Sequence, residues 1–175
     1  METDHVVGLP GKSGDPSPVT AYGVYVGMKA SAKIQFGSDS LAGKKIAVQG
    51  VGHVGEYLLE SLAKEGAEIY ITDIHEATLK RVSEKFNAKV VGLDDIYDID
   101  MDIYAPCALG ATINDSTLSR LKCSIIAGAA NNQLQNEETH GRAVMEKGII
   151  YAPDFALNAG GVINCYSEVK GFSSK

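Results

Sequence analysis

The stretch Gln49-Gly50-Val51-Gly52-His53-Val54-Gly55 constrains the chain more than any other, because it reads Gly-x-Gly-x-x-Gly between two contrasting segments. Before it stands the apolar run Lys45-Ile46-Ala47-Val48-Gln49, and after it the amphipathic run Val54 to Ala63. This pattern predicts a short buried strand, a tight turn, and a helix whose N-terminus opens on the turn. Free backbone N–H groups and the positive end of the helix dipole then face a common point, which suits a pyrophosphate. Gly50 permits the turn, Gly52 lets a ligand approach the backbone, and Gly55 lets helix and strand pack closely.

Alone, this spacing is a weak signal. The next apolar run, Glu68-Ile69-Tyr70-Ile71-Thr72, strengthens it by ending on Asp73, at about the twenty-residue distance of a ribose-binding acid. A carboxylate there accepts hydrogen bonds from both hydroxyls of an adenosine ribose and repels a 2′-phosphate. Two unit charges about 4 Å apart cost roughly 4 kcal/mol at an effective dielectric near 20. Even discounted severalfold, that selects NAD over NADP. The competing reading makes Asp73 a solvated strand end or a cap for the helix after Ile74-His75.

The 175 residues suffice for one domain with a proper core, since 45% are hydrophobic. Net charge is −6, with Lys and Arg scattered among acids, so nucleic acid and anionic membrane are poor partners. No apolar run approaches the roughly 20 residues of a membrane helix, and Met1 to His5 lack a signal peptide's basic start and apolar core. Cys107, Cys123 and Cys165 are odd in number and widely spaced, which reads as free thiols in a reducing cytoplasm. His5, His53, His75 and His140 show no metal-ligand spacing. His53 is expected to face solvent, although it lies in the glycine loop.

Further elements alternate. Residues 1–14 read as an irregular leader and 15–37 as a helix, with Ser17 as N-cap, Pro18 first inside, and Gly23 and Gly27 permitting close packing. Strand 67–72 precedes a helix near 76–86 with Ala77, Leu79, Val82 and Phe86 inward. Then follow strand 89–91, an acidic loop or helical turn at 94–100, and strand 101–105 ended by Pro106. A helix at 113–121 is capped by Asn114 or Asp115, and strand 124–127 comes next. Helix 137–147 is broken or loosened at Gly141, strand 148–152 is the last, and a helix from about 159 to 170 opens on Gly160-Gly161. The tail is 171–175. Strand–helix alternation predicts an α/β, Rossmann-type doubly wound fold with a mostly parallel sheet and helices on both faces. Loops 50–55, 105–112, 128–133 and 152–161 should lie together beyond the carboxyl ends of the strands.

Several loops are more particular than this fold requires. Gly14-Asp15-Pro16-Ser17-Pro18-Val19-Thr20-Ala21-Tyr22-Gly23-Val24, Ala105-Pro106-Cys107-Ala108-Leu109-Gly110, Ile126 to Leu134, Tyr151-Ala152-Pro153-Asp154 and Asn158-Ala159-Gly160-Gly161-Val162-Ile163-Asn164 together resemble the glutamate/leucine/phenylalanine/valine dehydrogenases, from about Gly14 to Lys170. The resemblance implies reversible oxidative deamination of an L-amino acid to a 2-oxo acid and ammonia, with NAD as hydride acceptor. It implies a homo-oligomer at full length. It makes 15–37 an interdomain-type helix and 38–170 the NAD-binding domain. Cofactor contacts are expected from Ser17, Thr20, Gly50, Val51, Gly52, His53, Val54, Gly55, Asp73, Ile74, Cys107, Ala108 and Asn132. Val162 and Cys165 fall at the side-chain pocket. With no Lys or Arg beside them, they favour a branched aliphatic substrate over a second carboxylate. Some relatives carry alanine at Gly55, where either residue is expected to keep the packing close.

Plainer roles stand beside these: Ser17 as a helix cap, Asn132 as a turn residue, Asn158 to Gly161 as a helix start, and the cysteines as core. The lysines and the acid that the family uses for catalysis and for gripping the substrate carboxylate are expected in a domain N-terminal to this segment. Lys12 lacks the matching context and is not given that role. The chain is therefore expected to bind NAD without turnover. A non-catalytic NAD-sensing module, a domain specific for phenylalanine, valine or glutamate, and an S-adenosylmethionine-dependent methyltransferase are the alternatives. The last gives no reason for Asn158 to Gly161.

Overall fold

A computed structural model describes residues 14–170. Lys12, the leader apart from Gly14, and the tail at 171–175 lie outside the described residues. In chain order the elements are α1 (Ser17–Phe36), β1 (Lys45–Gln49), α2 (His53–Glu65), β2 (Glu68–Thr72), α3 (Glu76–Phe86), β3 (Lys89–Val90), a 3-10 turn (Asp95–Asp98), β4 (Ile103–Pro106), α4 (Asp115–Arg120), β5 (Ile125–Ile126), α5 (Glu137–Glu146), β6 (Ile150–Tyr151), α6 (Asp154–Leu157) and α7 (Ala159–Lys170). The strands form one sheet in the order β3-β2-β1-β4-β5-β6, with every pairing parallel.

Both faces of the sheet are covered, which is why its strands read as unbroken apolar runs. Ile46, Val48, Ile103, Ala105, Ile125 and Ala127 enter one core with Val24, Met28, Leu58 and Leu62 from α1 and α2. The residues between them, Ala47, Tyr104 and Ile126, point into a second core with Ile96, Leu118 and Val144. Cys123 lies in this second core, where burial pushes its thiol up to about 12.

α1 packs on α2 and on α6, and its glycine pair faces α6. A Cβ on Gly23 would lie 2.5 Å from the Leu157 carbonyl oxygen, and one on Gly27 would overlap the Leu157 side chain. Glu65, on the last turn of α2, fastens the other end by accepting from Lys29 Nζ at 2.6 Å, from the Leu41 N–H at 3.1 Å, and from the Tyr25 hydroxyl.

Four local expectations are corrected. Pro16, not Ser17, is the N-cap of α1, and the Ser17 N–H is held by Asp15 Oδ1 at 2.9 Å. Gly141 does not break its helix, because α5 runs unbroken from Glu137 to Glu146, pinned by buried His140 and Val144. Pro106 completes β4 instead of ending it, pairing with Gln49. Ala77 is exposed, and Val82 is the buried anchor of α3. Between the two caps considered for α4, the structure selects Asn114, which accepts from the Ser116 and Thr117 N–H groups.

The α2–α3 contact carries a pH dependence. The Arg81 guanidinium grips Glu56 with two bonds of 2.7 and 2.6 Å, Lys85 adds one of 3.0 Å, and together they outweigh desolvation and hold the carboxyl down at about 2 against an ordinary 4.5. Because the folded pKa is depressed, this stabilisation is present above about pH 4.5 and is lost as pH falls toward 2. Both cations are about half exposed, so salt weakens the effect. We expect Glu56→Gln to flatten the pH dependence of urea stability between pH 4.5 and 2 and to have less effect in high salt.

Candidate cofactor site at the carboxyl ends of the strands

The chain leaves β1 toward β2 and β3, then returns to β4 on the other side of β1. At such a reversal the loops after the two central strands diverge and leave a crevice. Here those loops begin at Gly50 and Cys107. Gly50 has φ +98°, and a Cβ on it would lie 2.6 to 2.9 Å from Ala108 backbone and Cβ atoms. The first loop glycine is therefore required twice, by its backbone angle and by the neighbouring loop.

Gly55 sits beneath the turn, where a Cβ would stand 2.2 Å from the Gly50 carbonyl oxygen. This corrects the expectation that alanine and glycine are equivalent there, since alanine would displace the turn. Gly52 is the opposite case. It is the N-cap of α2 with φ −66°, and a Cβ on it would meet nothing within 4 Å. No side chain caps α2, so the N–H groups of its first turn stay available to an anion above Gly52. A cradle with that much room fits a pyrophosphate bridge.

Asp73 stands at the edge of this cradle, partly exposed. Its Oδ2 accepts the Val51 N–H at 2.7 Å and its Oδ1 the His75 N–H at 2.9 Å. The acid thus closes the turn after β2 and is locked to the glycine loop, but it does not cap α3, whose N-cap is His75 with no capping side chain. Each oxygen keeps lone-pair capacity for a further donor. Ile74 beside it is 73% exposed.

The remaining loops converge on the same edge. Cys107 donates its N–H to the Gln49 carbonyl at 2.7 Å, and burial pushes its thiol up to about 11. Asn132 takes the turn conformation, φ +52°, and accepts the Ala111 N–H at 2.7 Å. Gly110 admits no Cβ because the Asn131 and Asn132 carbonyl oxygens lie at 2.6 and 2.8 Å. Asn158 Nδ2 reaches Asn131 Oδ1 at 2.7 Å and the Ala129 carbonyl at 3.2 Å. Gly160 and Gly161 seat the start of α7 on Val19 and Thr20, with no room for a Cβ at either position.

Ser17 is buried in the first turn of α1, while Thr20 Oγ1 turns back to the Pro16 carbonyl at 3.0 Å. Asp15, which the sequence reading passed over, takes the Ser17 bonds that hold its carboxyl below the usual range, and its Oδ2 lies 3.7 Å from His53 Nδ1. His53 is exposed. The structure therefore brings the four loops and the start of α1 together, and it leaves Val162 and Cys165 on α7, a helix with no buried residue. Val162 is 73% exposed and Cys165 partly so, on an open face of α7. A groove of about 850 Å³ runs beside α5, lined in part by Leu134, Met145, Tyr151 and Phe155, and meets the site at Asn132. It includes neither the glycine loop nor Asp73.

Strand order and loop placement define a Rossmann-type doubly wound fold. The chain belongs to the glutamate/leucine/phenylalanine/valine dehydrogenase family, which it matches over residues 11–74 and 70–175, so its relatives are enzymes that oxidise amino acids. It is 58% identical to leucine dehydrogenase of Bacillus subtilis (strain 168) over 99% of its own length and 48% of that protein. With the leucine dehydrogenase of Thermoactinomyces intermedius it shares 57% over 98% and 48% of the two chains. The crystal structure of L-tryptophan dehydrogenase from Nostoc punctiforme superposes with TM-score 0.89 at 45% identity, covering 92% of this chain and 49% of that one. A hetero-hexameric glutamate dehydrogenase from Thermus thermophilus shares the fold at TM-score 0.71 and 16% identity, over 91% and 42% of the two chains. The chain spans about half the length of the curated relatives it matches. Among the described residues, no helix is long and apolar enough to cross a membrane.

Proposed function

We propose that residues 38–170 are the NAD-binding half of an amino-acid dehydrogenase, with 15–37 as the helix that leads to its other half. The observation that carries this reading is the open, uncapped first turn of α2 beside an acid locked to the same loop. The backbone N–H groups of 53–55 hold the pyrophosphate, and Gly52 leaves the space for it. Asp73 accepts from the adenosine ribose hydroxyls, Cys107 and Ala108 border the crevice, and Asn132, Ser17 and Thr20 stand toward the nicotinamide end. Bound NAD supplies a hydride acceptor for the α-carbon of an L-amino acid.

Val162 and Cys165 give the substrate side an apolar surface, and with the similarity to leucine dehydrogenases they support a leucine-like side chain. Their exposure fits a wall completed by a second domain. The family resemblance assigns base catalysis and carboxylate binding to a domain N-terminal to this segment. On this reading residues 38–170 bind NAD, and the complete cytoplasmic enzyme is a homo-oligomer.

Calorimetry with NAD and NADP tests the cofactor assignment. We expect NAD to bind more tightly than NADP and to raise the melting temperature, since ligand at about 100 times Kd adds roughly 2.7 kcal/mol. Asp73→Ala should weaken NAD about tenfold, in line with losing hydrogen bonds to a charged group, and should weaken NADP less, because the same change removes the repulsion of a 2′-phosphate. Equal loss for both nucleotides, or no binding of either at millimolar concentration, would refute the assignment.

A further inference from the structure

The last residue of β1 is held from two sides in a way that its place in an apolar run does not suggest. Gln49 Nε2 donates to Tyr97 Oη at 2.8 Å, and Tyr104 Oη donates to Gln49 Oε1 at 2.6 Å. Both tyrosines are buried, Tyr104 completely, with ring centroids 5.9 Å apart and planes tilted by 55°. Tyr97 comes from the 3-10 turn and Tyr104 from β4. The same residue's carbonyl accepts the Cys107 N–H that opens the second loop, and its own carbon is bonded to Gly50. Gln49 is therefore joined at once to the far core, to the loop after β4 and to the glycine loop.

Gln49 is half-buried, an amide drawn out of water costs free energy unless its groups are paired, and an apolar residue would close the sheet as well. A polar group paired at both ends gives what apolar packing does not, a single allowed orientation. Gly50 by itself would leave the chain free to exit β1 in many directions. We propose that Gln49 is a positioning residue for the dinucleotide. Held between Tyr97 and Tyr104, it sets the direction in which β1 passes into Gly50, and so aims the amides of 52–55. The inference rests on the cofactor reading above, and it concerns residues that make no contact with the ligand.

The test compares Gln49→Leu, which keeps the size but loses both bonds, with Gln49→Glu, which still accepts from both hydroxyls. Val144→Ala serves as a control, destabilising the core that Tyr97 and Tyr104 belong to without removing either bond to Gln49. NAD affinity is measured by calorimetry, amide hydrogen exchange over 50–55 by NMR, and stability by urea unfolding. Because a slightly loosened site loses affinity steeply, Gln49→Leu should raise the NAD Kd about tenfold and speed exchange at 50–55 beyond the rest of β1. Gln49→Glu should restore most of the affinity, and Val144→Ala should lose stability at unchanged Kd.

A merely structural role predicts that Gln49→Leu behaves like the control. A folded Gln49→Leu chain with wild-type NAD affinity overturns this proposal while leaving the cofactor site standing. A wild-type chain that binds no NAD overturns both. If Gln49→Leu does not fold, Tyr97→Phe, which removes one hydroxyl, decides the matter. A Kd raised about threefold or more supports positioning, and an unchanged Kd overturns it.

Discussion

Gly52→Asp should make the fold slightly more stable and abolish NAD binding. The position is the N-cap of α2 with no capping side chain and an open site for a Cβ. Aspartate is among the best N-cap residues, a few tenths of a kcal/mol better than glycine, and its charge complements the helix dipole. Its carboxylate would take the N–H groups that the reading reserves for phosphate and would stand where the pyrophosphate belongs. Like charges about 4 Å apart cost roughly 4 kcal/mol at an effective dielectric near 20, and half of that is already about thirtyfold in affinity. With the lost N–H bonds added, we expect a Kd increase of at least about a hundredfold. Thermal unfolding and calorimetry on one sample check both halves. A fall in stability would show that Gly52 is needed by the fold, and unchanged affinity would show that the cradle holds no anion.

Gly50→Ala should damage stability and binding together. The residue needs φ +98°, and its missing Cβ would lie 2.7 Å from the Ala108 nitrogen and 2.9 Å from its Cα. An alanine in that backbone conformation costs about 1–3 kcal/mol, and the contact adds the cost of pushing apart the loops after β1 and β4. We expect about 3 kcal/mol lost in urea unfolding, at the upper end of ordinary point mutants, together with at least about a hundredfold weaker NAD binding, because a displaced loop misplaces every amide in it. Two glycines two residues apart thus have opposite signatures, one reserved for the ligand and the other for the fold. Loss of binding at Gly50→Ala without loss of stability would contradict the packing just described.

The alternation of strands and helices and the glycine turn are legible because each follows from local chemistry: apolar period and backbone freedom. The helix start at Ser17 was off by one because Asp15, not the serine, satisfies the first-turn N–H. Propensity alone predicts a helix broken or loosened at Gly141, whereas burial of His140 and Val144 on either side holds α5 together. α6 is four residues long and follows Pro153, too short for any period to show. Val162 and Cys165 were named from resemblance, and no local pattern could tell that their face is open. Gln49 was passed over because a polar residue closing an apolar run looks like a strand end reaching water. Its two tyrosine partners lie 48 and 55 residues away, so only the fold could reveal the pairing.

The most direct test is to titrate NAD into the isotope-labelled chain with its backbone amides assigned. The account predicts saturable shifts concentrated at Val51 to Gly55, at Asp73 and Ile74, and at Cys107 and Ala108. Saturation that leaves these amides unmoved, or that shifts instead the residues beside α5 and Phe155, would contradict it.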